Sequence, residues 1–410
     1  MQFKDVIAHR EVKAQLKYLV QKNRLSHSLL FLGREGCGAL PLAIAFAQYI
    51  LCENVNPNLK KEQVASLFKI DEPGEASFDL EDSCGFCPSC IKAAQLIHPD
   101  LHFSYPALKR NTNHDRVLST DFITEWREFI QQTPYYNVAD WINFLKENSK
   151  IENPVNKQGN ITVFECDDIS HKLSLKSFES SYKILIMWMP EYLGNSGNKL
   201  LKLIEEPPPD TIFIFVAEDE NAILPTILSR TQLIKVPSLS GSEIKNDLIE
   251  KYRVAPEKAA EVAAVADGNF REALLLLQNS DEGLLASIKE WLNVTLKNNI
   301  TSQIKWIDDV NKKGREKQKQ LLKYFVHLIE QSIRARYLNE NNLSSIPEAE
   351  MDFALKLNKI CRIESQEAMI NELDKSIYHI ERNAHAKMLF HALTIRFLHI
   401  IRDNSLILVN

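Results

Sequence analysis

Glycine is scarce in this chain, at 12 of 410 residues, about 3% against a usual share of about 7%. That shortage argues against loop-rich β architectures and excludes collagen, which needs glycine at every third position. Neither sign of charge dominates, since 49 Lys and Arg face 54 Asp and Glu for a net −5. A strongly basic protein that coats nucleic acid by neutralising phosphates is thereby excluded, whereas one whose partners make the contacts is not. No apolar run approaches the roughly 20 residues of a membrane helix; Ile184–Pro190 is the longest notable one. The opening Met1-Gln-Phe-Lys-Asp lacks the apolar core of a secretory signal. The expectation is a cytoplasmic protein with no membrane partner.

What is present is the composition of a soluble globular chain, 45% hydrophobic and 25% charged. Its length exceeds one ordinary core and implies two or three domains. Charge is split between them: residues 283–410 carry 19 Lys and Arg against 15 Asp and Glu, a balance of +4, so the first 282 residues carry −9.

Hydrophobic periodicity divides the chain in the same way. A helical stripe over residues 11–23 precedes a short apolar strand, Ser28–Gly33, the loop Gly33-Arg-Glu-Gly-Cys-Gly38, and an apolar helix over Pro41–Leu51. Strand, glycine loop and helix in that order form the phosphate-cradling unit of a nucleotide-binding α/β sheet. Further strands are predicted at Ile161–Glu165, Lys183–Trp188 and Thr211–Ala217, with a helix over Asn195–Glu205 that stops before Pro207-Pro-Pro209. Glu53–Ser83 and Lys109–Asn160 read as insertions; in the second, Phe122, Trp126, Phe129 and Ile130 have the spacing of a packed helix face. After Val236-Pro237 only helices are predicted: Ser240–Tyr252, Pro256–Asp267, Phe270–Asn279, then continuous helical periods from Glu282. There, Leu321, Leu322, Phe325, Leu328 and Ile329 form one stripe, and Leu389, Ala392, Leu393, Phe397, Ile400 and Ile401 another. The fold class is α/β plus all-α.

Four of seven cysteines gather in one region. Cys84-Gly-Phe-Cys87-Pro-Ser-Cys90 places three thiols on a tight turn, a pattern that in a reducing compartment points to metal rather than disulfides. A tetrahedral zinc site needs a fourth soft ligand. Cys52 is the available thiol, 31 intervening residues upstream, and His98 is its rival. Cys37, Cys166 and Cys361 read as small core residues. His9, His27, His98 and His102 are scattered and read as surface or capping residues. The basic run Lys312–Lys319 could face DNA or an acidic partner, but a solvated helix start is the commoner use of such a run.

The glycine loop lacks the groups that turn over nucleotide. A working loop reads G-x-x-x-x-G-K-[ST], its lysine on the terminal phosphates and its hydroxyl on Mg²⁺. After Gly33, Gly36 and Gly38 come Ala39 and Leu40 instead. The apolar strand Lys183–Met187 runs into Trp188-Met189-Pro190-Glu191, with no carboxylate at the two positions where a second metal motif needs it. Hydrolysis is not expected and nucleotide is not expected as a cofactor, although the backbone amides of Gly33, Gly36 and Gly38 leave loose nucleotide binding open.

With these residues in view, the chain resembles the delta-prime subunits of bacterial DNA polymerase III clamp loaders, within the AAA+ group. The likeness runs over Phe3-Lys-Asp-Val-Ile7, Arg24-Leu-Ser-His27, the cysteines with His98-Pro-Asp100, Leu200-Leu-Lys-Leu-Ile-Glu-Glu-Pro-Pro208, Leu228-Ser-Arg-Thr231 and Gly268-Asn-Phe-Arg271-Glu-Ala273. It covers roughly residues 1–280. It implies a AAA+ (RecA-like) parallel-sheet domain with a zinc module over residues 1–236, a helical lid over 237–281 and a helical collar over 282–410. It implies that Arg230, positioned by Ser229, is an arginine finger directed into a neighbouring subunit's ATP site, and that Arg271 matches the sensor 2 arginine, here left with a packing or salt-bridge duty. Thr231 stands where the family has cysteine. The implied partners are gamma/tau and delta subunits, with the sliding clamp and primer-template DNA met through the assembled complex. The gamma/tau subunits share several of these segments but keep both nucleotide motifs. An active gamma/tau-type ATPase and a freestanding zinc-dependent nucleic-acid binder are the alternative readings.

Overall fold

The computed structural model describes residues 1–56, 81–111, 116–149, 151, 159–278, 281–297, 299–337, 348–381 and 384–403. Most of the expected insertion Glu53–Ser83, and parts of Lys109–Asn160, lie outside these residues. The chain divides into two compact units: Met1–Asp247 with Asp267–Glu272, and Leu248–Ala266 with Ala273–Asn410.

The first unit is built on a five-stranded parallel sheet of order β2-β3-β4-β1-β5, where β1 is Ser28–Leu32, β2 Leu101–Ser104, β3 Lys183–Trp188, β4 Thr211–Ala217 and β5 Gln232–Lys235. Strands β3 and β4 are buried along their whole length, as continuous apolar runs are when helices cover both faces of a parallel sheet. On one face, Leu29, Phe31, Ile184, Ile186, Ile212 and Ile214 share a core with the helix Ala39–Leu51. All thirteen residues of that helix are buried, because it is apolar on nearly every side and its one amide, Gln48, is bonded to the Met1 amine (2.7 Å) and the Ser83 hydroxyl (3.1 Å). The other face packs Leu30, Leu185, Phe213 and Phe215 against Cys166, Ile169 and Leu173 of the helix Val163–Ser174.

That last helix corrects a sequence expectation. Ile161–Glu165 is not a strand: Thr162 caps the helix, its hydroxyl accepting the Glu165 N–H (3.3 Å), and only Asn160 makes an isolated bridge, to Ala107. The apolar residues of this stretch recur at helical spacing, Cys166, Ile169 and Leu173, once the cap has set the direction. The edge strands β2 and β5 were not among the predicted strands. The region Asn195–Glu205 is a 3-10 segment, Pro190–Leu200, broken at Gly194 (φ +49), continued by the α-helix Leu201–Glu205.

The described part of the second insertion folds as the helices Ile123–Gln132 and Val138–Asn148. Trp126 lies fully buried, 4.1 Å from Tyr105 and 5.3 Å from both Trp141 and Trp188 by ring centroids. These aromatics hold the insertion on the edge of the sheet and present no face to a nucleic-acid base. A buried carboxylate reinforces the joint, with Glu165 accepting the Ser119 N–H (2.8 Å) and the Ser119 hydroxyl (2.5 Å).

In the second unit the helices Asp281–Leu296, Ile300–Lys312, Arg315–Tyr337, Glu348–Ile360, Ile363–Glu381 and Ala386–Asp403 enclose a core in which Trp291 stacks on Trp306 at 4.8 Å. The stripe Leu321, Leu322, Phe325, Leu328 and Ile329 is buried throughout. In the other stripe Ala392 is exposed, and Thr394 is buried in the core, its hydroxyl accepting the Trp291 indole N–H (2.9 Å). Among the described residues no helix is long and apolar enough to cross a membrane.

Candidate functional site

Two constellations in the first unit carry chemistry. The first is the cysteine group. Cys52 ends the helix Ala39–Leu51, and Cys87 caps the short helix Pro88–Ala94, with Gly85 (φ +79) turning the chain between Cys84 and Cys87. The four sulfurs of Cys52, Cys84, Cys87 and Cys90 all lie within 4.8 Å of one another, and those of Cys84 and Cys90 are 3.9 Å apart. Zinc bound at about 2.3 Å to four thiolates places sulfurs about 3.8 Å apart, so the group has the size of a closed tetrahedral site.

Backbone N–H groups of Cys84, Cys87 and Cys90 donate to the sulfurs of Cys52, Cys84 and Cys87 respectively (3.3, 3.3 and 3.4 Å), an arrangement that stabilises thiolate charge. The Cys52 thiol is held far below its usual range by hydrogen bonds from Cys87 and Cys90, and the same pairing pushes Cys87 up to about 11. Crowded thiols oppose one another's ionisation, whereas a divalent cation lets all four ionise. His98 is not in the group. Its Nδ1 accepts the Asp100 N–H (3.1 Å) and its ring is buried. His9 is buried too, its Nε2 2.7 Å from the Cys37 carbonyl. Burial also pushes His102 down to about 4. Two of the four histidines read as surface or capping residues, His9 and His98, are therefore interior, where one ring nitrogen of each meets a backbone group.

The second constellation is the glycine loop, which follows β1 at the carboxyl edge of the sheet, where open α/β sheets bind ligands. Gly36 (φ +70) and Gly38 (φ +96) adopt left-handed conformations, and a Cβ at Gly36 would lie 1.8 Å from Asn269 Oδ1. The cradle is filled by the chain itself. Tyr135, from the insertion, comes so close to Gly38 that a Cβ there would meet its ring at 2.9 Å; its hydroxyl accepts the Ile7 N–H (2.9 Å) and its ring packs on Phe270 at 4.9 Å. The Phe270 N–H donates to the Gly36 carbonyl (3.1 Å). A cavity of about 30 Å³ remains beside Gly36, Gly38, Tyr135 and Glu218, against the 300–1,000 Å³ usual for a ligand pocket.

Arg271 closes the arrangement. Its side chain is wholly buried; Nη1 donates to Glu35 Oε1 (3.0 Å) within the loop, and Nη2 to Asp140 Oδ1 (2.7 Å) from the insertion. Glu35 thus places a carboxylate where a phosphate-binding loop needs positive potential. Beyond the loop, Glu191 follows β3 and accepts the N–H groups of Glu218 (2.6 Å) and Asp219 (3.0 Å), and burial pushes its carboxyl up. The sequence singled out the glycines and Arg271 but missed Tyr135 and Asp140, whose only signal was membership of an insertion next to an altered loop.

Arg230 and Ser229 belong to neither group and lie exposed just beyond the helix Pro225–Leu228. Arg230 Nη1 donates to the Thr226 carbonyl (2.8 Å) and to the Ser229 hydroxyl (3.0 Å), while its Nε and Nη2 pair with Glu205.

The sequence model of the family described as DNA polymerase III, delta subunit, matches residues 8–80 and 61–240. This chain belongs to that family. The delta-subunit match takes in the cysteines, the glycine loop and Arg230. The chain is 24% identical over 263 residues to the DNA polymerase III subunit delta' of Bacillus subtilis, covering 64% of this chain and 57% of that protein. It is 23% identical over 301 residues to subunit tau of the same organism, covering 72% and 40%. Each matched stretch thus spans little more than half of its relative's length, or less. A gamma subunit-related protein of DNA polymerase III from Thermotoga maritima superposes with a TM-score of 0.37 at 13% identity, over 95% of this chain and 99% of that one.

Proposed function

We propose that this chain is a non-hydrolysing subunit of a DNA polymerase III clamp loader, which lends Arg230 to the ATP site of an adjacent gamma/tau-type subunit. The observation that carries the reading is the filled cradle. Tyr135 and Phe270 pack against the glycine loop, Glu35 and Asp140 take up the arginine that would face phosphate, and Ala39 and Leu40 replace the lysine and hydroxyl. A chain that spends its own nucleotide site on internal packing has a reason to keep an arginine at its surface: guanidinium charge stabilises phosphoryl transfer in a partner's site. The family relatives named delta', tau and gamma/tau support the setting. In this reading the delta and gamma/tau subunits are its partners, the helical residues beyond 282 form the collar of the assembly, and clamp and DNA are met by the complex.

Zinc fits the four cysteines. When bound it supplies folding energy to the module and no reaction, because all four positions belong to protein. Asp82 fastens that module to the N-terminal turn by accepting the N–H groups of Phe3 (3.0 Å) and Lys4 (2.9 Å), and Glu53 accepts the Ser89 hydroxyl (2.9 Å).

The direct test uses the purified chain with radiolabelled ATP and Mg²⁺ in equilibrium dialysis, alongside a phosphate-release assay. No stoichiometric binding and no turnover are expected. Turnover abolished by substitution in the loop would establish the gamma/tau-type ATPase instead, and stoichiometric binding at micromolar ATP without turnover would overturn the filled cradle.

A further inference from the structure

We infer that Glu205 is a positioning residue for Arg230, holding the guanidinium on its own chain until a neighbour's polyphosphate competes for it. This rests on the finger reading above. The arginine is not idle at the surface. Its Nε and Nη2 engage the Glu205 carboxylate, and its Nη1 donates to Thr226 O (2.8 Å) and Ser229 Oγ (3.0 Å), so all three guanidinium nitrogens have acceptors on its own chain. Thr226 and Ser229 move with the helix that carries Arg230. Glu205 alone comes from another element, the end of Leu201–Glu205, so it fixes the direction in which the side chain lies.

The two elements are held in register by close packing. Gly197, in the segment leading to Leu201, lies so near Leu224 and Ile227 that a Cβ there would meet their methyl groups at 3.0 and 3.2 Å. The parked position is thus set by the packing of the fold.

The strength of the pair suits a releasable hold. The two side chains are 35% and 45% exposed, and a pair standing in water biases its equilibrium by up to about fivefold. A nucleotide's phosphates, carrying several charges and accepting both N–H groups of a guanidinium edge in a water-poor interface, outbid a single carboxylate. Arg230 is then engaged only after an exchange of acceptors, and the Glu205 carboxylate keeps unstimulated turnover low.

The test needs the assembled clamp loader and the isolated full-length chain. In the complex, Glu205→Gln should raise ATP turnover without clamp or DNA by about two- to fivefold. The rise should vanish in the Arg230→Ala background, and Glu205→Asp, which keeps the charge, should stay nearer wild type than Glu205→Gln. In the isolated chain, the Arg230 Nε–H resonance, assigned with Arg230→Lys, should shift and exchange faster with solvent in Glu205→Gln. Unchanged or lowered turnover in Glu205→Gln, or an unmoved Nε–H resonance, would overturn the parking role. If Arg230→Ala itself left turnover unchanged, the finger reading would fall and the parking role with it. The isolated-chain resonance separates that case, because it reports the pair whatever the finger does.

Discussion

Replacing Arg271 by alanine tests whether its arginine is structural or waits for a nucleotide. The side chain is 0% exposed, while its partners Glu35 and Asp140 are 23% and 18% exposed. Breaking a buried ion pair from one side costs about 3–5 kcal/mol, because the other charge is left uncompensated. Both carboxylates touch water, so the lower end, about 3 kcal/mol, is expected. At 1.36 kcal/mol per decade that loss is roughly a hundredfold rise in the exchange rate of amides that open only with the whole unit. Hydrogen exchange at the β1 and β4 amides reads this for the first unit alone, which thermal melting of a two-unit chain does not. A charge-free replacement of the group, Arg271→Met with Glu35→Gln and Asp140→Asn, should recover most of the loss. A loss below about 1 kcal/mol for Arg271→Ala, with no nucleotide present, would refute the structural role and return Arg271 to nucleotide contact.

Metal analysis of Cys84→Ser should show the loss of about one equivalent of zinc; undiminished zinc would remove the cysteine group from the metal reading. Gly36→Ala should destabilise the first unit by at least about 2 kcal/mol in hydrogen exchange, since it combines a positive φ with a Cβ 1.8 Å from Asn269 Oδ1. A neutral result would mean that Asn269 is not seated against the loop. Tyr135→Phe takes the acceptor from the Ile7 N–H and should cost about 1–3 kcal/mol, with faster exchange at that amide; no change there would show that the hydroxyl does not fasten the plug.

Much of the sheet was legible because β1, β3 and β4 are continuous apolar runs that only a doubly covered sheet buries. The edge strands escaped because each is four residues long, and Leu101-His-Phe-Ser104 and Gln232-Leu-Ile-Lys235 carry the polar residues that one-sided pairing allows. Ile161–Glu165 was misread because an apolar start does not separate strand from helix, and the deciding residue was the cap, Thr162. Cys84, Cys87 and Cys90 announced themselves by spacing, whereas choosing Cys52 over His98 required the helix end that brings its sulfur in. The plug was illegible for a different reason. Arg271 meets Asp140 and Glu35 across 131 and 236 residues of sequence, and no local pattern encodes contacts of that span.

The most direct measurement on the proposed role is ATP turnover by the reconstituted clamp loader carrying Arg230→Ala, with subunit assembly followed in the same samples by gel filtration. An arginine finger is worth about 10³–10⁵ at the site it serves, so that site should fall silent and total turnover should drop by its share, with assembly intact. Wild-type turnover in a fully assembled Arg230→Ala complex would contradict the proposal.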